Sequence, residues 1–139
     1  MIGILDISYY GKPFCGFARQ PEQLTVQGSI EDALKVIFQQ EIQTTCAGRT
    51  DAGVHAKHQF VSFEIPNNKA NDLADEPKLK QFASSLNNSI DKLTHDDIHI
   101  QNVKITKDDF SARFDAKLRK YSYFIKNSKT PSLFMKDFT

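Results

Sequence analysis

Residues Gly48–Ala56 (Gly-Arg-Thr-Asp-Ala-Gly-Val-His-Ala) constrain this chain more than any other stretch. They set two glycines, a carboxylate and a guanidinium between two segments that read as strands. Upstream, Ile42-Gln43-Thr44-Thr45-Cys46-Ala47 is rich in β-branched and small residues. Downstream, Phe60-Val61-Ser62-Phe63-Glu64-Ile65 alternates, with Val61, Phe63 and Ile65 on one face. The nonapeptide is therefore a tight strand-to-strand connection. Gly48 and Gly53 supply positive φ or room for another backbone to approach. Between them Asp51 is presented from a stiff support, a setting that suits chemistry.

On residue types alone the loop has other readings. Asp before small residues and Gly is ordinary turn chemistry: the carboxylate accepts local N–H bonds, and Arg49 neutralises it. Asp51, His55 and His58 are also oxygen and imidazole ligands lying close together, which opens a metal site. Their spacing matches no metal signature with defined mechanics, and strand alternation scatters the side chains.

A chain of 139 residues is one domain in size and long enough to bury a sizeable core. No apolar run approaches the roughly 18 to 20 residues of a membrane span. The start, Met1-Ile2-Gly3-Ile4-Leu5-Asp6, has no basic n-region, so no signal peptide is expected. Two cysteines, Cys15 and Cys46, are too few for a disulfide framework and point to reduced thiols in the cytoplasm. Asn87-Asn88-Ser89 fits a glycosylation sequon, without weight in a protein that is not secreted.

The net charge of +1 argues by itself against a nucleic-acid binder. Its distribution is uneven. From residue 103 onward there are nine Lys/Arg against four acids, whereas residues 64 to 102 carry seven acids against four Lys. That asymmetry suggests one end facing an anion and the other facing solvent, although a solvated face is the commoner cause of such a run.

In chain order, Ile2 to Tyr10 is the first expected strand, ending at Gly11. Lys12 to Leu24, with Pro13, Gly16 and Pro21, is a loop whose only cation after Lys12 is Arg19. Thr25 is the expected N-cap of a helix carrying Val26, Ile30, Ala33, Leu34, Ile37 and Phe38 on one face. The strand, nonapeptide and strand follow. Pro66 to Pro77 is polar and expected as a surface excursion. A second helix then sets Leu79, Phe82, Ala83, Leu86 and Ile90 on one face. Ile98 and Ile100 alternate, and Val103 and Ile105 alternate one residue out of phase, which predicts a bulge near Gln101-Asn102. His95 and His99 are expected at the surface. A loop through Phe110 and Phe114 leads to a last strand, Arg119 to Lys126, with Tyr121, Tyr123 and Ile125 on one face. The order is βαββαβ plus one strand. That is an α+β, ferredoxin-like sandwich: an antiparallel or mixed sheet, two helices on one face and an extra C-terminal strand.

Four segments, in order, resemble the TruA-type tRNA pseudouridine synthases. Gly48-Arg49-Thr50-Asp51-Ala52-Gly53-Val54-His55 is similar to that family's active-site segment. Tyr10-Gly11 with Phe14-Cys15-Gly16-Phe17-Ala18-Arg19-Gln20 resembles its "YDG…F-x-G-W-x-x-Q" segment, with Phe17 in place of the Trp. Val26-Gln27 resembles its helix start. Phe110-Ser111-Ala112-Arg113-Phe114-Asp115-Ala116, then Arg119-Lys120-Tyr121-Ser122-Tyr123, resembles its "F-H-A-R-F-x-A-x-x-R-x-Y-x-Y" stretch. Ile90 to Ile98 departs from the family's "L-P-x-D-I", being longer and without Pro.

The resemblance implies an isomerase that breaks the C1′–N1 bond of a uridine, turns the uracil and joins C5 to C1′. Nothing is oxidised and no energy input is needed, so it implies neither cofactor nor metal. Asp51 becomes the catalytic carboxylate, either general base at C2′ or nucleophile at C1′. Tyr121 becomes the ring on the extruded uracil, and Arg49 the side chain that enters the RNA or orients Asp51. Arg19 and Arg113, with Arg119, become phosphate contacts, and His55 joins the substrate side, although a salt-bridged surface pair explains Arg113 and Arg119 equally well. The implied partner is the 3′ side of a tRNA anticodon stem-loop, with no membrane and with a homodimer for the full-length enzyme. The family is about twice as long. Residues 1–126 are then the domain carrying the Asp loop, and 127–139 begin a linker to a second domain. That second domain would hold a basic partner for the Asp and an aliphatic residue against the uracil, so this chain alone is expected to fold but to turn over negligibly. Two other functions fit the residues: a non-catalytic RNA-binding ferredoxin-like module, and a metal-dependent hydrolase using Asp51, His55 and His58.

Overall fold

Leu5, Ile7 and Tyr9 alternate with half-buried Ile4, Asp6 and Ser8, so the first strand has one core face and one open face. A computed structural model describes residues 1–94, 96–106 and 111–123 and places this strand, β1 (Ile2–Tyr9), at the centre of a sheet. The elements that follow are α1 (Val26–Phe38), β2 (Thr44–Cys46), β3 (Ala56–Glu64), a 3-10 turn (Asn67–Leu73), α2 (Glu76–Thr94), β4 (Ile98–Thr106) and the one-turn α3 (Ala112–Asp115). The strand order is β2-β3-β1-β4, and every pairing is antiparallel. With α1 and α2 on one face, this is the expected ferredoxin-like sandwich.

α1 starts where its capping chemistry sets it. Thr25 is extended, and its hydroxyl accepts a hydrogen bond from the Gly28 N–H at 3.0 Å. Loss of such a cap costs about 1 kcal/mol. The helix ends at Gln39 in the left-handed region, with the Gln39 N–H donating to the Lys35 carbonyl. Its stripe of Val26, Ile30, Ala33, Leu34 and Phe38 is buried against the sheet. Phe38 meets Phe63 of β3 and Phe82 of α2 at centroid distances of 5.9 and 5.6 Å, and those two rings lie 6.3 Å apart. This triangle joins both helices to the sheet, each buried ring contributing roughly 1.5–3 kcal/mol.

The expected slip in β4 is a bulge at Gln101. Asp6 pairs with Asn102, but the next residue, Ile7, pairs with Ile100. The disturbed backbone is repaired by side chains. Asn87 of α2 donates to the Ile100 carbonyl at 3.1 Å and accepts from its N–H at 2.8 Å. The Gln101 amide donates to the Lys57 carbonyl, and the Asn102 side chain accepts from Val103 N–H. Asn87, the first residue of the sequon, is thus committed to the fold.

Two expectations change. The polar excursion before α2 contains the 3-10 turn, with Leu73 buried. The extra strand is not formed over its described part: residues 119–123 lie in no strand, and Tyr121 and Tyr123 are exposed. Among the described residues no strand pairs with this stretch. Ile125 and Lys126, the linker expected at 127–139, Phe110 and His95 lie outside the described residues. His99 is exposed, as expected. α3 sits across the sheet from α1 and α2. Ser62, between the core-facing Val61 and Phe63, points the other way, shares a hydrogen bond with Thr45 and accepts from the Ala112 N–H at 3.0 Å.

Candidate active site

The loop between β2 and β3 is gripped from several sides. At its entry Ala47 N–H donates to the Phe60 carbonyl, and the Gln59 side chain brackets Gly48, accepting from its N–H at 3.3 Å and donating to its carbonyl. In the middle, Thr50 and Tyr9 share a hydrogen bond of 2.7 Å between their hydroxyls, and the Thr50 carbonyl accepts from Phe17 N–H at 3.0 Å. At its exit His55 Nδ1 accepts from the Gly11 N–H at 2.9 Å, and its ring stacks on Tyr10 with centroids 4.9 Å apart. A Cβ built on Gly11 would stand 1.8 Å from the Val54 carbonyl oxygen, so only glycine lets the chain just after β1 run this close to the loop. Gly53 has φ of 80° and sits inside the turn in which Val54 N–H donates to the Asp51 carbonyl.

Asp51 itself is exposed. Among the described residues its carboxylate accepts no hydrogen bond and pairs with no cation. This decides against the turn-chemistry reading, in which the carboxylate holds its own backbone and Arg49 neutralises it. The turn is made by the main chain and by neighbouring side chains instead. The metal set is not assembled either. His55 is bound to Gly11, His58 pairs with Asp6 at 3.0 Å, and among the described residues no three ligating side chains gather.

On the other side of Gly48 lies the segment from α3 onward. A Cβ on Gly48 would stand 3.3 Å from the Tyr121 hydroxyl and 3.6 Å from Arg119 Cδ, so the phenol rests against the loop three residues before Asp51. Burial raises the Tyr9 phenol above its ordinary pKa; hydrogen bonds to Thr50 and Gln59 offset part of this, and nearby Cys46 and Tyr121 add to it. Cys46–Arg49, Arg113, Phe114 and Arg119 enclose an open cavity of about 380 Å³. Burial likewise raises the Cys46 thiol, with Arg49 and Arg113 pulling the other way. Arg119 donates to the Ala47 and Arg113 carbonyls, the latter at 2.9 Å, and the Arg113 guanidinium lies 5.3 Å from the Phe114 centroid. No salt bridge joins Arg113 or Arg119 to an acid among the described residues, which removes the surface-pair reading.

Arg19 is placed differently. It meets Asp32 at 3.1 Å and Glu31 at 3.8 Å, and donates to the Gly28 carbonyl. Its guanidinium ties the Lys12–Leu24 loop to α1. A hollow of about 320 Å³ between α1, α2 and the 3-10 turn, lined by Phe38, Leu73 and Phe82, shares no residue with the Asp loop.

The supports in Tyr9, Gln59 and Ser62 were not singled out from the sequence. Gln59 carried a signal: it is a polar residue two positions before Val61 on a core-facing register. Tyr9 follows Leu5 and Ile7 on the inward face, and its hydroxyl therefore needs a buried partner.

No family model matches the chain. Curated relatives do. The chain is 42% identical over 134 residues to "tRNA pseudouridine synthase A" of Dictyoglomus thermophilum, covering 96% of this chain and 51% of the relative. Proteins of the same name in Borrelia turicatae and Thermotoga sp. (strain RQ2) are 44% and 39% identical over 126 and 132 residues, covering 91% and 95% of this chain and 46% and 49% of their own lengths. The chain spans about half the length of the curated relatives it matches.

Proposed function

We propose that this chain, which matches tRNA pseudouridine synthase A proteins over almost its whole length and about half of theirs, supplies the catalytic half of a uridine-to-pseudouridine isomerase. The observation that carries the reading is Asp51: an exposed carboxylate, without a partner among the described residues, whose flanking residues are fixed by Tyr9, Phe17 and His55. A group fixed before substrate arrives loses little freedom in the transition state. Asp51 takes the proton from C2′ or attacks C1′. Tyr121, beside Gly48, stacks on the extruded uracil, and stacking of a base on an aromatic ring is worth about 1 to 3 kcal/mol against an extrusion cost of a few. Arg49 and Arg113 face the RNA from the cavity. His55 acts from the back of the loop, and Arg19 shapes the Lys12–Leu24 loop through its two carboxylates.

The proposed substrate is the 3′ side of a tRNA anticodon stem-loop, and the proposed setting is a cytoplasmic homodimer. The isomerisation calls for no redox partner, so the reading invokes neither cofactor nor metal. Residues 1–126 form the domain carrying the Asp loop, and 127–139 lead to the part of the enzyme that completes the site. The test is to exchange this chain for the matching residues of the Dictyoglomus thermophilum relative and to map pseudouridine in a tRNA transcript. Pseudouridine formation that disappears with Asp51→Asn is expected, with negligible turnover by the 139 residues alone. An Asp51→Asn chimera that modifies tRNA as fast as its parent would end the proposal and favour a binding module.

A further inference from the structure

Gln59 is a polar side chain in an apolar row. It lies on the core-facing register of β3 with Val61 and Phe63, and it is 8% exposed. A carboxamide in that row costs free energy unless its donors and its acceptor are matched. The matching runs toward the Asp loop. The Gln59 side-chain oxygen accepts from Gly48 N–H at 3.3 Å and its nitrogen donates to the Gly48 carbonyl, so one side chain takes both hydrogen-bonding groups of the Gly48 backbone. The same carboxamide is a hydrogen-bonding neighbour of the Tyr9 hydroxyl, which is bonded to Thr50 at 2.7 Å. A bulge stands beside it: Ile7 pairs with Gln59, but Tyr9, two residues on, pairs with Ala56, three residues back. Bulges next to sites re-aim side chains.

These contacts set Gln59 between the two groups that the isomerase reading gives to the substrate. Through Gly48 it holds the surface on which Tyr121 rests, the phenol oxygen lying 3.3 Å from a Cβ built there. Through Tyr9 and Thr50 it reaches the residue before Asp51. We propose, resting on that reading, that Gln59 is a positioning residue: its one carboxamide fixes the spacing between the Tyr121 ring and the Asp51 carboxylate. A uracil laid on the ring then presents its sugar to the carboxylate without further adjustment of the loop. Gln59 touches no reacting atom and no part of the RNA. Its effect therefore falls on the rate with substrate bound and not on how tightly RNA is held.

The test has two readouts. In NMR spectra of the 139-residue chain, Gln59→Leu should move the Gly48 and Thr50 amides and the Tyr121 ring signals together, with the Gly11 amide behind the loop left in place. In the chimera described above, the same substitution should lower kcat on a tRNA transcript about thirtyfold and change KM by less than about twofold. Tyr9→Phe keeps Gln59 and cuts only the arm to Thr50. It should lower kcat and move the Thr50 and Asp51 amides but not Gly48 or the Tyr121 ring, and it carries the test where Gln59→Leu does not fold. Both substitutions cut one path, so the double variant should be no slower than Gln59→Leu alone. A folded Gln59→Leu chimera with the parent's kcat, a KM that rises while kcat holds, or losses that multiply in the double variant would each overturn the proposal. So would Gln59→Leu shifts confined to Gly48, or a Tyr9→Phe chain with Thr50 unmoved. The Asp51→Asn outcome bears on the isomerase reading alone, and the NMR readout does not depend on turnover, so the two readings fail separately.

Discussion

The two sides of the Asp loop are built for opposite ends. Behind it, toward β1 and the Lys12–Leu24 loop, polar groups are matched: Tyr9 with Thr50, Gly11 with His55, Arg19 with Asp32 and Glu31. In front, Asp51, Arg49 and Arg113 stand exposed, Tyr121 rests its hydroxyl on Gly48, and among the described residues no carboxylate lines the cavity. The same residue type, arginine, is satisfied on one side and left wanting on the other. Matched polar groups hold a fold, and unmatched ones wait for a ligand.

Substitutions can break that division. The largest effect is expected from Asp51→Asn, which should lower pseudouridine formation by the chimera about a thousandfold while leaving the thermal midpoint of the chain in place. A lowered midpoint would show that the carboxylate serves the fold. Next is Gly11→Ala behind the loop. The added carbon meets the Val54 backbone, and urea denaturation should show a loss of about 3 kcal/mol. Tyr9→Phe keeps the buried ring and deletes the hydroxyl bonded to Thr50. It should cost about 1 kcal/mol by the same measurement and slow turnover with little change in RNA affinity. The smallest change is expected from Arg19→Gln. Its guanidinium is about half exposed, so screening leaves less than about 1 kcal/mol, and RNA affinity measured by anisotropy should not move. A fall in RNA affinity there would restore Arg19 to the front of the site.

Much of this was legible from residue patterns. Period-two and helical stripes gave the order of elements, Thr25 marked the helix start, and the phase slip after Ile100 marked the bulge. These signals are local, and local geometry produces them. The supports were not legible because they join residues far apart in the chain: Gln59 reaches back to Gly48, His55 to Gly11, and Ser62 forward to Ala112. The strand expected at 119–126 failed over its described part for a related reason. Alternation of Tyr121 and Tyr123 specifies a face, but a strand also needs a neighbour to pair with, and pattern alone does not supply one. For the site residues the motif brought Asp51, Arg49 and Tyr121 to attention, and the geometry separated Arg19 from Arg113, which the sequence ranked alike.

The clamps around Thr50 and His55 bear on how one uridine would be chosen over another. If the chain acts on tRNA as proposed, a loop already fixed in place has little left to organise on binding, and the rearrangement falls on the polynucleotide. Uridines in weakly stacked, easily opened positions should then be modified first, because the free-energy difference among candidates resides in the helix being opened rather than in the protein that opens it.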